Sequence, residues 1–489
     1  MIIMVIMRTI IICTLTSRIK KNMTFSSFSK ISAAMIVALS LTACVEDGDD
    51  GASGVAGSNG AAGVAGNSGV STFVTREDVI KTNANIAYAA YSDSLISAQD
   101  LKVALEKFVA DPTDTNFSLA KKSWLDSREP YGQTEVYRFR QGPIDELKDD
   151  GTLGKDDAGE GPEGLINAWP LGEAIIDYVE PVDGLSGPES PANAITDNII
   201  ANSAAYPTID AETLEGLFEH GEDGRNVTTG YHAIEFLLWG QDLNLDLSGA
   251  GTRDNTAGQR PVSDYSTTVG ACTSGTNAAT DDICTRRGQY LVTTAQLLIN
   301  QLKRVTEQWE PVSGPHYKNF VAGGDASLAK ILEGMGRLSF GELAGERINI
   351  ALIENSQEDE HSCFSDNTHR DIFLNAKGVQ NSFNAKYVRI DGEVIEGASI
   401  YDLLVVEEQH ELANKLRGAL EATMSAAAVI DTKAKTGMPF DVLIQAGIDQ
   451  PNIKAVINAL VAQTDDIEAV IDALGVTKND LRGDTDQEI

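Results

Sequence analysis

The residues best suited to chemistry in this sequence are His232 and Glu235, in the segment Gly230-Tyr231-His232-Ala233-Ile234-Glu235. The apolar residues that follow predict a helix, in which side chains three positions apart lie on one face. An imidazole nitrogen and a carboxylate oxygen on one face can bind the same ion, and this pair suits iron or zinc better than calcium. A structural His–Glu pair without an ion explains the same spacing, so the motif alone leaves both interpretations open.

A second cluster, at residues 358–369, offers matching ligands. Glu358 and His361 have the same three-residue separation in the reverse order, and Glu-x-x-His is the pattern that di-iron helical bundles direct into their core. Asp366 and His369 flank this pair. The alternative is a polar network between two domains that holds no ion. The predicted metal ligands are His232, Glu235, Glu358 and His361.

Several common catalytic motifs are missing from the sequence. It contains no His-Glu-x-x-His, which zinc peptidases use to place two histidines and a general base on one helix. It also contains no Gly-x-Ser-x-Gly elbow and no P-loop, and its Gly-x-Gly-x-x-Gly run at residues 159–164 lies in a polar loop and not after a strand, as a dinucleotide-binding fingerprint requires. The absence of Cys-x-x-Cys-His excludes covalent attachment of haem but leaves non-covalent haem open.

The charge balance favours cations as partners. The chain has 72 acidic and 38 basic residues, which give a net charge of −34. This charge repels nucleic-acid phosphates, so we predict no nucleic-acid partner. Most of these carboxylates are expected to be solvated surface groups that keep the protein soluble.

The N-terminal region has the layout of a bacterial lipoprotein signal peptide. Lys30 precedes an apolar run over residues 31–41, and Cys44 ends the sequence Leu-Thr-Ala-Cys. A transmembrane helix needs about 20 apolar residues, and this run is about half as long. We therefore predict a signal peptide over residues 1–43, with Met23 as an alternative start, and lipidation of Cys44. The lipid would anchor the chain to the outer membrane, with its body in the periplasm or at the surface.

A glycine-rich stretch follows the predicted lipidation site. Glycine recurs at every third position from Gly48 to Gly69, as in collagen, but the stretch has no proline and is short. We predict a disordered, flexible tether over residues 44–74.

The other cysteines fit an oxidising compartment. Cys272 and Cys284 flank a polar loop and are predicted to form a disulfide. Cys363 has no obvious partner and is predicted to be a buried free thiol.

From Thr75 onward the apolar residues repeat at helical spacing, which predicts an all-α fold. One strand signal stands out at residues 387–396, where Asp391-Gly392 suits a two-residue hairpin turn. A boundary near residue 270 would give two helical domains, at residues 75–270 and 271–489. The apolar stripes are Leu101, Leu105 and Phe108, then Leu291 to Trp309, Leu412 to Met424, and Ile453 to Leu474.

Over roughly residues 75–475 the chain resembles the imelysin-like proteins, and within them the iron-regulated protein A branch. The resemblance depends on short segments in the expected order. These are Trp124; Arg128 to Glu135 with Arg138-Phe139; Gly142 to Asp145; Asn167 to Pro170; Gly230-x-His232-x-x-Glu235 with Leu238 to Asp242; Arg260-Pro261 with Asp264-Tyr265; Gly341 to Arg347; and Glu358 to His369.

This resemblance implies two related helical-bundle domains, with the functional site near the Gly-x-His-x-x-Glu helix at their interface. It also implies iron-regulated expression and a part in iron or haem acquisition. Four further residues of the matching segments are predicted to flank the ligands: Arg128, Glu135, Trp169 and Arg347. Of these, Arg128, Glu135 and Arg347 are predicted to orient the ligands and balance their charge.

We therefore predict an envelope lipoprotein that binds or hands on iron or haem, in preference to zinc, with an uptake partner in the outer membrane. A metallopeptidase is the first alternative, although one His-x-x-Glu pair gives neither a full zinc ligand set nor a clear general base. The second is a partner-docking module without a ligand of its own, which the tether and the long polar loops at residues 145–164 and 243–264 would suit.

Overall fold

The computed structural model describes residues 73–154, 161–179, 198–248, 252–274 and 281–483, together with residues 485 and 489. The predicted signal peptide, Cys44 and nearly all of the predicted tether lie outside these residues. The described residues belong to one compact unit. Within them, no helix combines the length and the apolar character that a membrane span requires.

Helices make up most of the described chain, which confirms the predicted all-α class with one small hairpin. The α-helices are Arg76–Ala110, Asp114–Tyr131, Pro143–Glu146, Pro162–Asn167, Ala211–Gly216, Gly230–Trp239, Asp281–Trp309, Pro315–Ala322, Asp325–Arg337, Ile350–Glu354, Thr368–Asn384, Ile400–Val406, His410–Ala434, Phe440–Ile444 and Pro451–Leu474. A π-helix spans Leu338–Asn349. Short 3₁₀ turns lie at Glu135–Tyr137, Glu173–Ile175, His220–Glu222 and Val262–Tyr265.

The first long helix, Arg76–Ala110, organises one group of helices. Its start is fixed by Thr75 and Asp78, whose side chains each accept a hydrogen bond from the other's backbone N–H. It packs against Asp114–Tyr131 and Asp281–Trp309. The predicted stripes on these helices are buried, which confirms that they form core.

A second group consists of Thr368–Asn384, His410–Ala434 and Pro451–Leu474, packed with the π-helix. Some of their apolar side chains, including Ile372, Ala427 and Ile453, form a separate core cluster. Others, such as Leu416 and Ile467, belong to the main core. The predicted division of the chain near residue 270 stays a prediction.

The π-helix was not predicted, because its sequence has the apolar content of an ordinary helix. Its wider turn brings residues five positions apart onto one face. Arg347 Nε therefore donates to Glu342 Oε1 at 2.9 Å. The resulting ion pair is buried behind the candidate site.

The predicted hairpin is present, but its turn differs from the prediction. Strands Lys386–Val388 and Val394–Glu396 are antiparallel, and Tyr387 pairs with Ile395. The turn has three residues instead of two, because Arg389 N–H donates to Glu393 O at 2.8 Å and Gly392 N–H donates to Arg389 O at 2.9 Å. Gly392 has a φ of 89°, which permits this bulged turn.

The cysteines lie as the sequence indicates. Cys272 and Cys284 form a disulfide with Cα atoms 5.9 Å apart. Cys363 is a buried free thiol.

His316 gives the fold a measurable pH dependence. It is 6% exposed and lies against the rings of Trp309 and Phe320, and burial lowers its pKa to about 4. Between about pH 6.5 and 4 the unfolded chain therefore binds a proton that the folded chain does not, so stability falls as pH falls.

His316→Phe should remove up to about 2–3 kcal/mol of this loss of stability. Urea unfolding at both pH values checks this, with the exposed His220→Phe as control; equal pH dependence in wild type and His316→Phe would contradict it.

Candidate metal centre

The helix Gly230–Trp239, here called the motif helix, is buried along its whole length. Its first residue has a φ of 84°, which glycine adopts readily. A Cβ atom at Gly230 would lie 2.5 Å from the carbonyl oxygen of Ile166. The glycine of the motif therefore lets the helix begin directly against helix Pro162–Asn167.

His232 and Glu235 form a buried pair on this helix. His232 Nδ1 lies 2.9 Å from Glu235 Oε2, and the side chains are 2% and 0% exposed. The other carboxylate oxygen, Oε1, accepts hydrogen bonds from Ser365 N–H at 3.0 Å and from Ser365 Oγ at 2.6 Å. Both oxygens of Glu235 are thus engaged, and they hold the imidazole in one orientation.

The other ring nitrogen of His232 is unpartnered, and the residue lines a small cavity. This nitrogen, Nε2, is buried without a hydrogen-bond partner. The cavity has a volume of about 10 Å³, which is room for one water molecule or ion. The residues that line it with His232 are Trp169, Pro170, Leu171, Glu358, Glu360, His361, Cys363 and Phe364.

His361 lies edge-on to His232, with ring centroids 4.8 Å apart. Its Nδ1 lies 3.0 Å from Asp371 Oδ2, and its Nε2 lies 3.3 Å from Asn167 Nδ2. An amide nitrogen is a donor, so Nε2 accepts from Asn167 and Nδ1 carries the proton that Asp371 accepts. Trp169 packs on the ring at 4.9 Å.

Arg128 donates hydrogen bonds to both residues that contact the ring nitrogens of His361. Its Nη2 donates to Asp371 Oδ1 at 2.8 Å, and its Nη1 donates to Asn167 Oδ1 at 2.5 Å. Because the Asn167 oxygen accepts from Arg128, its amide nitrogen must face His361. The guanidinium is 1% exposed, so its charge is balanced by Asp371 within the core.

Glu135 and Arg347 form a buried ion pair next to Asn167 and Trp169. Arg347 Nη2 donates to Glu135 Oε2 at 2.8 Å, and Asn167 Nδ2 lies 3.3 Å from Glu135 Oε1. Arg347 also lies over the ring of Trp169. These residues thus reach the site through Asn167 and Trp169, and their predicted role in orienting the ligands stays a prediction.

The remaining predicted residues, Glu358, His369 and Asp366, lie in three different places. Glu358 lines the cavity of His232. His369 turns away, since its Nδ1 contacts the backbone oxygen of Asp366 at 2.9 Å and its Nε2 lies 3.7 Å from Asp431. Asp366 instead lies with Asp242, a residue that the sequence did not single out.

Three residues of the site have no assigned role in the sequence prediction: Asn167, Ser365 and Asp371. Asn167 and Ser365 lie in segments that carry the family resemblance, so their place in those segments was the available signal. Asp371 follows the second cluster by two residues, and only its contact with Arg128 reveals its part.

Burial keeps both histidines neutral. It lowers the pKa of His232 well below 6.5, and a proton on the neighbouring His361 would lower that pKa further. Burial and the charge of Arg347 lower the pKa of His361 to about 4. Neutral imidazole is the form that binds metals.

Glu235 and His232 share a proton whose position decides what Nε2 can do. Burial raises the pKa of Glu235 to about 8. When Glu235 is protonated it donates to Nδ1, and the imidazole proton then lies on Nε2. When Glu235 is ionised, Nδ1–H donates to it, and Nε2 offers a free lone pair to a cation.

A larger cleft adjoins the cavity. It has a volume of about 460 Å³ and shares Trp169 and Pro170 with the inner cavity. Glu163, Glu342 and Glu346 contribute acidic side chains to its walls. Arg138 also lines the cleft and pairs with Glu163 and Glu342, so the walls are acidic with one balancing positive charge.

Gly230→Ala should destabilise the protein by about 1–3 kcal/mol, because alanine is strained at positive φ and its methyl group meets the Ile166 carbonyl. Gly418→Ala is the control, since that exposed helical glycine has open space around it and alanine there should stabilise by up to about 1 kcal/mol. Urea unfolding of both variants measures the difference. Equal stabilities for the two variants would contradict the role given to Gly230.

Comparisons with known proteins agree with this fold. The imelysin family model matches residues 87–471. Among solved structures, a protein assigned as an iron-regulated protein A precursor from Parabacteroides distasonis is 15% identical, with a TM-score of 0.54. The match covers 81% of this chain and 94% of that one. No curated protein matches. Because the family model matches well over half of its length, this chain belongs to the imelysin family.

Proposed function

We propose that this protein captures an iron ion in the cell envelope and passes it on, with Nε2 of His232 as the first ligand. The observation that carries this proposal is that Nε2 is a buried nitrogen without a hydrogen-bond partner, on a residue that lines a cavity of ion size. A buried polar atom left without a partner costs about 1–3 kcal/mol. Binding an ion would remove that cost.

In this proposal Glu235 does not bind the ion itself but hydrogen-bonds to Nδ1 of His232. Its two oxygens already bond to His232 and Ser365, so it orients the ligand and strengthens its basicity. Glu358, which also lines the cavity, would supply an oxygen. His361 would become a further ligand if Nε2 releases its hydrogen bond from Asn167.

The size of the cavity favours a bare ion over haem. A volume of about 10 Å³ holds one small sphere, whereas a porphyrin would have to displace the packed rings of Trp169 and His361. Imidazole and carboxylate ligands also suit iron, and the combination favours it over magnesium or calcium.

The surroundings suit the capture of cations. The acidic cleft beside Trp169 would concentrate them, and the net charge of −34 adds a long-range attraction. Regulation by iron, a lipid anchor at Cys44 and delivery to an outer-membrane partner complete the proposal. The first takes support from the name of the Parabacteroides protein, and the second from the sequence around Cys44.

Two substitutions test the ligand assignment by calorimetric titration with ferrous iron under anaerobic conditions. His232→Ala should abolish binding at the cavity. Glu235→Gln should weaken binding by about 10–100-fold. The reason is that Ser365 donates to the glutamine oxygen, so the amide nitrogen must donate to Nδ1 and the imidazole proton stays on Nε2.

His410→Ala is the matched control, because that histidine is exposed at the start of helix His410–Ala434 and lines neither the cavity nor the adjoining cleft. It should bind iron as the wild type does. Iron affinity that is unchanged in His232→Ala would refute the site.

Haem should not use the same site. Titration with haem, followed by its visible absorption band, is expected to give identical curves for wild type and His232→Ala. A band that requires His232 would contradict the preference for a bare ion and would favour haem as the ligand.

A further inference from the structure

Three aspartates from distant parts of the chain meet beside the candidate iron site. Asp242, Asp366 and Asp441 each place one carboxylate oxygen within 4.8 Å of the other two. Asp242 follows the motif helix, and Asp366 follows the segment that carries His361. Asp441 lies in helix Phe440–Ile444, which belongs to the second core cluster.

A fourth carboxylate joins this group. Glu360 is 2% exposed, and its Oε1 has no hydrogen-bond partner. The charges of Asp441 and Asp366 lie close enough to raise its pKa further, after the larger effect of burial. Oδ1 of Asp441, a residue 3% exposed, is likewise without a hydrogen-bond partner. Two buried carboxylate oxygens, one on a cluster residue and one on a residue beside it, therefore have no hydrogen-bond donor.

Such a group is costly without positive charge. Burial, with the charges of Asp441 and Asp254, raises the pKa of Asp366 to about 8. Arg253 lies near enough for its charge to favour ionised Asp441, but its guanidinium donates to the side chain of Asn355. Either protons or a bound cation must offset the remaining repulsion.

We propose that Asp242, Glu360, Asp366 and Asp441 bind one calcium ion at a site separate from that of iron. The ligands are all hard carboxylate oxygens, without imidazole or thiolate, which suits calcium and not a softer metal. Opposite ligands of a calcium ion lie about 4.6–5.2 Å apart, since each bond is about 2.3–2.6 Å long. The three aspartate oxygens lie within 4.8 Å of one another, so none is too far from the others to share one ion.

Magnesium suits this arrangement less well. It demands near-ideal octahedral geometry at about 2.0–2.1 Å and keeps several waters. Four carboxylates, three of them buried, leave little room for a hydrated ion.

The ion would have a structural effect on the iron site. It would join the end of the motif helix, the segment at residues 356–367 and helix Phe440–Ile444. Because that segment carries both Glu358 and His361, calcium would fix two residues of the neighbouring cavity. This role does not require that the cavity bind iron.

Calcium titration of the chelator-treated full chain at neutral pH tests the proposal by calorimetry and thermal unfolding. Wild type should bind one calcium ion with a dissociation constant below about 1 mM, more tightly than magnesium, and its Tm should rise. Asp441→Asn and Asp366→Asn should each weaken calcium binding by at least tenfold. In chelator, Asp441→Asn should unfold at the same temperature as wild type or higher, because one buried charge is gone.

Two controls separate this site from its surroundings. Asp472→Asn, at a position with a 66% exposed side chain, should bind calcium as wild type does. His232→Ala should also keep full calcium binding, so loss of iron binding and loss of calcium binding are distinguishable. The proposal is overturned if wild type binds no calcium, if magnesium binds more tightly, or if both aspartate variants bind calcium as wild type does.

Discussion

The hydrogen bond between His232 Nδ1 and Glu235 Oε2 is the constraint on which the rest of the site depends. It decides which nitrogen of the imidazole is left without a partner and, through the shared proton, whether that nitrogen can bind a cation. Two other features of the structure keep this hydrogen bond in place. Ser365 fixes the far oxygen of Glu235, and Gly230 allows the motif helix to begin against the backbone of Ile166. The functional geometry is therefore a property of tertiary packing as much as of the helix.

Buried charge around the histidines is balanced in pairs. Arg128 with Asp371, and Arg347 with Glu135 and Glu342, form ion pairs that are almost completely buried. Removing one member of such a pair leaves the other uncompensated, which is far more costly than losing a surface ion pair. The aspartate cluster at Asp242 differs, because its carboxylates face one another. The molecule thus holds a neutral imidazole site and an anionic oxygen site side by side, and these suit different metals.

The sequence predicted what depends on local spacing. Helical periodicity identified the core stripes, and the three-residue separation of His232 and Glu235 identified their shared face. The contact between the rings of His232 and His361 was a conjecture from matching motifs, and the structure brings them to 4.8 Å. The partners of Glu235 and His361 could not be predicted, since Ser365 and Asn167 are 130 and 194 positions away. The aspartate cluster could not be predicted for the same reason, because Asp441 joins it only through the packing of a short helix.

The central claim is that iron is bound through Nε2 of His232. Diffraction from crystals of the iron-loaded chain, measured at the iron absorption edge, would locate the ion directly. The account predicts an anomalous peak within bonding distance of His232 Nε2, with Glu235 still bonded to Nδ1. A peak among Asp242, Asp366 and Asp441 with none beside His232 would contradict it.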